Sequence, residues 1–187
     1  MKRIVIAGPE CCGKTTLSEA LAANMGGVLV QEFARTYLAA IDRPYEQDDL
    51  LTIAMGQMEA EQTGRVKSRL QANTKYSARF KIKSNHKQLI VCDTDLRTLR
   101  IWSLEKYETV HDWIEKTIAE TKTDLYLLCK PDIAWEADPQ RENPEDRDRL
   151  YKLYKADLET SGQRFIEVEG TPEKRLLAAM RAVDRLA

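Results

Sequence analysis

The run GPECCGKTT, residues 8–16, decides the fold. It fits GxxxxGK[ST], with Gly8, Gly13, Lys14 and Thr15 in the four specified places. Before it stands RIVIA, residues 3–7, nearly all apolar and without alternation, as expected of a strand buried on both faces. After it, Leu17, Leu21 and Ala22 fall at helical spacing. A strand, a glycine-bounded loop and a helix in that order make a phosphate site. Glycines let the backbone curl so that its N–H groups and the helix N-terminus converge on an anion, and Lys14 adds a positive charge toward the terminal phosphates. Thr15 offers a hydroxyl to magnesium. The expected ligand is a nucleoside triphosphate, ATP with Mg2+, held by Gly8, Glu10, Cys11, Cys12, Gly13, Lys14, Thr15 and Thr16.

Composition bounds the rest. A chain of 187 residues, 43% hydrophobic, suits a single domain over residues 1–187 with a substantial core. Lysine and arginine number 29 against 30 acids, so no global field favours nucleic acid or an anionic membrane, and a small-molecule partner is expected. The first apolar run is short and leads straight into the phosphate loop, and no stretch approaches membrane-spanning length, which reads as a cytoplasmic protein. No oligomeric contact is legible. Cysteines 11, 12, 92 and 129 lack paired CxxC spacing, which argues against a zinc site. Cys11 and Cys12 stand where a helix N-terminus can lower a thiol pKa, so they read either as an oxidation-sensitive pair or as two small residues filling a loop whose pattern accepts any residue there.

Apolar runs recur at 3–7, 28–30, 89–92, 125–129 and 165–168, separated by longer helical patterns. Five short strands alternating with helices predict a parallel sheet in a three-layer α/β fold. Residues 47–73 read as one long helix, interrupted near Gly56 and Gly64 because glycine weakens a helix. The basic run 75–87, with Lys75, Arg79, Lys81, Lys83 and Lys87, reads as a solvated surface segment. His86 and His111 stand alone and read as surface histidines.

The third apolar run ends in a carboxylate, Asp93. In open parallel sheets ligands sit beyond the carboxyl ends of the strands, so Asp93 is placed to hold magnesium, with Asp95 beside it facing the substrate. Asp93 could also cap the helix that starts near Leu96. The second strand runs into QEFAR, bringing Glu32 and Arg35 to the same edge. Phosphoryl transfer to an alcohol needs a group that positions the hydroxyl and takes its proton, and Glu32 is the first choice, with Asp93 or Asp95 second. A surface pair between Glu32 and Arg35 is the alternative.

Residues 132–150, rich in proline, acids and arginine, read as a lid. Arg141, Arg147 and Arg149 could neutralise charge that builds up during transfer, or else pair with Glu145, Asp146 and Asp148 on a solvated helix. Trp135 could stack on a planar ring, best on a cationic one, or anchor the lid to the core. Gly170, at the turn after the last strand, could border the adenine base.

Together GPECCGKTTL, QEFARTYL, DDLLTIAMGQ, DTDLRT and LYLLCKPDIAWEADPQRENPEDR resemble the ribosylnicotinamide kinase family, from Lys2 to about Gly170. The resemblance implies ATP-dependent phosphorylation of the 5′-hydroxyl of nicotinamide riboside to nicotinamide mononucleotide, with magnesium. It also implies a nucleoside-kinase-like P-loop fold whose five-stranded parallel core sets the Asp93 strand beside the loop strand, under an arginine-rich lid. Cys11 and Cys12 depart from the small hydroxyl residues more usual in that family. A kinase for another nucleoside or nucleotide, and a regulatory ATP-binding switch, are the competing readings.

Overall fold

All five apolar runs become strands of one parallel sheet. The computed structural model describes residues 1–73, 88–137 and 145–186. In chain order the elements are β1 Lys2–Ala7, α1 Lys14–Met25, β2 Val28–Val30, α2 Phe33–Ala40, α3 Gln47–Asn73, β3 Leu89–Asp93, α4 Leu96–Tyr107, α5 Asp112–Glu120, β4 Leu125–Cys129, α6 Arg147–Thr160, β5 Phe165–Val168 and α7 Pro172–Asp184. The strand order is β2-β3-β1-β4-β5. β3 lies beside β1 with Ile6 opposite Asp93, as expected for the carboxylate strand. The basic run 75–87 lies outside the described residues.

The unbroken apolar character of the strands follows from their two covered faces. Ile4 and Ile6 pack with Leu17 and Leu21 of α1 and Ala179 and Val183 of α7, while Val5 and Ala7 pack with Ile101 of α4 and Tyr154 and Leu158 of α6. Successive side chains on a strand point to opposite faces, so both parities must be apolar. A third cluster joins α2, α3, α4 and α5 through Ala34, Ile53, Leu99 and Ile114, beside the carboxyl edge of the sheet.

Helix α3 is continuous from Gln47 to Asn73, against the expected interruption. Its glycines serve close approach. A Cβ on Gly56 would lie 2.3 Å from the Phe33 ring, and one on Gly64 would lie 2.7 Å from Val30. The contact is fixed further by Gln57, whose side-chain oxygen accepts the Phe33 N–H at 2.8 Å. His111 caps α5, its Nδ1 accepting the Trp113 N–H at 3.1 Å.

A buried ionic network lies on the α3 face of β1. Arg3, in an otherwise apolar strand, gives Nε and Nη2 to both oxygens of Glu61 at 2.8 and 2.6 Å. Arg3 is 2% exposed and Glu61 0%. Two charges so placed are tolerated only as a bidentate pair with further partners, and Asp95 and Thr123 supply them.

Candidate active site

Between β1 and α1, residues 8–13 curl under the carboxyl edge of the sheet. Gly8 has φ +137°, and a Cβ there would lie 2.7 Å from the Cys129 carbonyl, so only glycine lets the chain leave the strand here. Lys14 Nζ donates to the Pro9 carbonyl at 2.7 Å, and Cys12 Sγ donates to the same oxygen at 2.9 Å. Thr15 is half-buried and Thr16 exposed, both in the first turn of α1. The Lys14 ammonium loses solvation in this setting, but Cys12, Glu32, Tyr154 and Asp93 more than offset that loss and raise its pKa. Burial pushes the Cys12 thiol up, while its hydrogen bond with Cys129 and the charges of Lys14 and Arg175 bring it down to about 7. Of the two loop cysteines, Cys12 thus belongs to the underside of the loop and Cys11, half-exposed, to its rim.

Asp93 ends β3 and is 2% exposed, and its Oδ1 has no hydrogen-bond partner among the described residues. A buried carboxylate oxygen without a donor is costly unless a cation takes it, so the donor set fits a hard divalent metal. The helix cap that Asp93 might have supplied comes from Asp95, whose Oδ1 accepts the Arg97 N–H at 3.0 Å. That role turns Asp95 back under the sheet, where it accepts the Tyr126 hydroxyl at 2.8 Å and pairs with Arg3. Asp95 is therefore not beside Asp93 at the substrate edge: it is 5% exposed and committed to the buried network.

Glu32 immediately precedes α2. Burial raises its pKa, and nearby Asp93 adds to that, while Lys14 and Arg35 oppose it. Arg35 Nε stands 3.4 Å from Glu32 Oε2. Lys14 and Glu32 thus feel each other and the nearby Asp93, whereas Arg35 reaches Glu32 from the solvent side.

Glu32 and Lys14 share a cavity of about 530 Å³. Its walls come from the phosphate loop, from Arg35 and Leu38 of α2, from Arg43 and Tyr45 in the connection to α3, from Trp102, Glu105 and Lys106 of α4, and from Arg149 and Tyr154 of α6. Its arginines face carboxylates. Arg43 binds Asp49 through both nitrogens at 2.6 and 2.9 Å, and Arg149 binds Asp146 at 2.6–2.9 Å and Glu105. Lys106 Nζ lies 3.4 Å from the Tyr45 ring centroid.

Trp135 does not line this cavity. The Arg147 guanidinium carbon lies 5.6 Å from its ring centroid, and Arg147 donates to the carbonyls of Cys11 and Ile133, both at 3.0 Å. Cys11 Sγ donates to the Ala134 carbonyl at 3.4 Å and accepts the Glu136 N–H at 3.3 Å. The described parts of the 132–150 segment are stitched to the phosphate loop through Cys11, which itself sits at φ 49°. Arg141 lies outside the described residues.

Gly170 has both backbone groups engaged: its N–H donates to Asp132 at 2.6 Å and its carbonyl accepts from Arg175 Nε at 2.9 Å. The residues that sequence reasoning passed over are Tyr45, Trp102 and Arg175. Arg175 carried a signal, a charge four residues into a helix that must pack on the sheet beside the phosphate loop; the two aromatics carried none beyond their residue type.

A glycine loop after the first strand, with an acid ending the neighbouring strand of a parallel β2-β3-β1-β4-β5 sheet, defines the P-loop kinase-like fold. Within that class the chain belongs to the family described as AAA domain, which it matches over residues 3–175. A NadR protein solved in complex with NR superposes with a TM-score of 0.76 at 22% identity, covering 99% of this chain and 51% of that one. A NadR protein solved with NAD and AMP-PNP gives 0.75 at 22% identity, covering 99% and 49%. Thymidylate kinase from Ehrlichia chaffeensis gives 0.60 at 14%, covering 97% and 98%. The chain thus spans about half the length of the NadR proteins it resembles. No curated protein matches the sequence. No described helix is long and apolar enough to cross a membrane.

Proposed function

We propose that this protein transfers the terminal phosphoryl group of ATP to the 5′-hydroxyl of nicotinamide riboside, giving nicotinamide mononucleotide. One observation carries the reading: a single cavity joins Lys14 and Glu32 to the aromatic pair Tyr45 and Trp102. At about 530 Å³ it suits a nucleoside, within the usual range for small-molecule sites. Trp102 lines the cavity with a broad ring on which a planar base can stack, while the Tyr45 ring already carries the Lys106 ammonium and Glu105 is paired with Arg149. Arg43 and Arg149 are already bound to carboxylates, which favours an acceptor without a phosphate of its own over a nucleotide. The NadR structure solved with NR agrees in fold with this assignment.

The residues divide the work. Backbone N–H groups of the loop and the α1 N-terminus bind the phosphates, and Lys14 screens their charge. Glu32 holds the acceptor hydroxyl and takes its proton as the bond to phosphorus forms; its raised pKa makes it a stronger proton acceptor than an ordinary glutamate. Thr15 and Asp93 would hold magnesium, which when bound neutralises charge on the phosphates. Arg147, fixed on the loop through the Cys11 carbonyl, adds positive charge near the donor.

The test is a coupled assay of ADP formation with magnesium and nicotinamide riboside, adenosine, cytidine, uridine or no acceptor, with mass spectrometry of the product. Stimulation by the riboside together with appearance of the mononucleotide is expected. Stimulation by a different nucleoside alone would transfer the assignment to that acceptor, and turnover indifferent to every acceptor would replace transfer by plain hydrolysis.

A further inference from the structure

Helix α7 enters the donor site through one side chain. Arg175 lies in its first turns, is 3% exposed, and spreads its guanidinium over three separate loops. Nη1 donates to the Cys12 carbonyl at 2.7 Å, Nε to the Gly170 carbonyl at 2.9 Å, and Nη2 to the Lys130 carbonyl at 3.1 Å. Nη2 also pairs with Asp132, whose second oxygen accepts the Gly170 N–H at 2.6 Å. The loops after β4 and β5 are thereby joined to the phosphate loop at one buried cation.

The contact to Cys12 has a specific geometric effect. The Cys12 carbonyl and the Gly13 N–H belong to one peptide unit, which is planar and, with no cis bond among the described residues, trans. Its oxygen and hydrogen point in opposite directions, so a carbonyl held toward Arg175 directs the Gly13 N–H away from α7. Gly13 sits at φ 78°, and glycine rotates more freely than any other residue, so nothing in the loop's own sequence keeps this peptide from turning over. A turned peptide would offer the bound phosphate an oxygen where it needs a hydrogen-bond donor.

We propose that Arg175 is a positioning residue for the donor phosphates, locking the Cys12–Gly13 peptide with its N–H toward them. The proposal rests on the reading of the loop as a triphosphate site and not on the identity of the acceptor. It is tested by titrating wild type, Arg175→Gln and Arg175→Lys with MgATP and, separately, with magnesium and inorganic tripolyphosphate, without acceptor, and then measuring KM for the acceptor. Arg175→Gln is expected to weaken ATP and tripolyphosphate alike by about tenfold or more, since misplaced donors lose much of their effect, with acceptor KM within about twofold of wild type. Arg175→Lys, able to reach one carbonyl but not three, should recover part of the loss.

A folded Arg175→Gln variant that binds both ligands like wild type overturns the proposal. So does loss of ATP affinity with tripolyphosphate unchanged, which would make Arg175 a support for the base end alone, and so does a parallel rise in acceptor KM, which would mark a general structural role. If Arg175→Gln does not fold, Asp132→Ala reads the same cluster from its more exposed side: ATP affinity about threefold lower supports the proposal and unchanged affinity overturns it. Should wild type bind ATP yet phosphorylate no riboside, the proposed acceptor falls while the role of Arg175 is still decided by these titrations.

Discussion

The two halves of the candidate site are built by opposite means. At the donor end the cradle itself is backbone, with Lys14 as the side chain that completes it: residues 8–13 form one continuous loop, shaped by Gly8 and held from below by Cys129 and Arg175. At the acceptor end the working groups are side chains, Glu32, Tyr45, Trp102 and Arg149, from four stretches of chain. A backbone cradle cannot change its ligand without changing its glycines, whereas a wall of side chains can be altered one residue at a time. The donor is thus fixed by the fold and the acceptor by substitution upon it, consistent with a sheet shared by a NadR protein and a thymidylate kinase.

Breaking the donor end should cost most. Lys14→Ala is expected to lower transfer by about a thousandfold while leaving acceptor affinity in place, checked by steady-state assay and by direct titration of the riboside. Residual turnover near wild type would remove Lys14 from the chemistry. Glu32→Gln sits at the junction and should lower kcat by about a hundredfold with ATP affinity retained. Because Glu32 must be ionised to accept a proton and its pKa is raised, wild-type kcat/KM should fall with decreasing pH through a midpoint above the ordinary glutamate range, and the variant should lack that limb. A limb unchanged by Glu32→Gln would move the base elsewhere.

The acceptor end should respond more mildly and in a different constant. Trp102→Ala is expected to raise KM for the riboside by about tenfold and leave KM for ATP within experimental spread, whereas Trp135→Ala, which loosens Arg147 and the Cys11 contact, should act on ATP. The reverse pattern would return the ring-stacking role to Trp135. The smallest effect belongs to the scaffold between the two ends. In Gly56→Ala the helix gains about 1 kcal/mol from propensity but the new methyl overlaps the Phe33 ring, at a cost of about 1–3 kcal/mol, so urea denaturation should show a modest net loss. A stabilised variant would mean that Phe33 yields freely.

This division also explains what could be read from the sequence. The strands, their parallel arrangement and the phosphate loop were legible because each is a local pattern: an apolar run covered on both faces, or a glycine spacing. The positions of Glu32 and Asp93 at the carboxyl edge of the sheet were legible because strand ends in an open parallel sheet are known places. Asp95 was misplaced by two residues' worth of geometry, since capping α4 turned it under the sheet. Gly56 and Gly64 looked like breaks because sequence shows a missing side chain without showing the ring of Phe33 or the Val30 methyl that takes its place. Tyr45 and Trp102 meet only through packing of α2, α3 and α4, and Arg3 declared itself only once Glu61, on a distant helix, was beside it.

The contact between Gly56 and Phe33 also sets a rule for redesign. Phe33 follows Glu32 directly, and its N–H is tied to Gln57 on the same turn of α3 as Gly56. The wall carrying Glu32 is therefore mounted on α3 rather than on the residues that would select a substrate. A library aimed at new acceptors can vary positions 38, 45 and 102 among side chains that keep their packing on the third core cluster, while holding 33, 56 and 57 constant, because the latter three keep Glu32 in its place at the cavity.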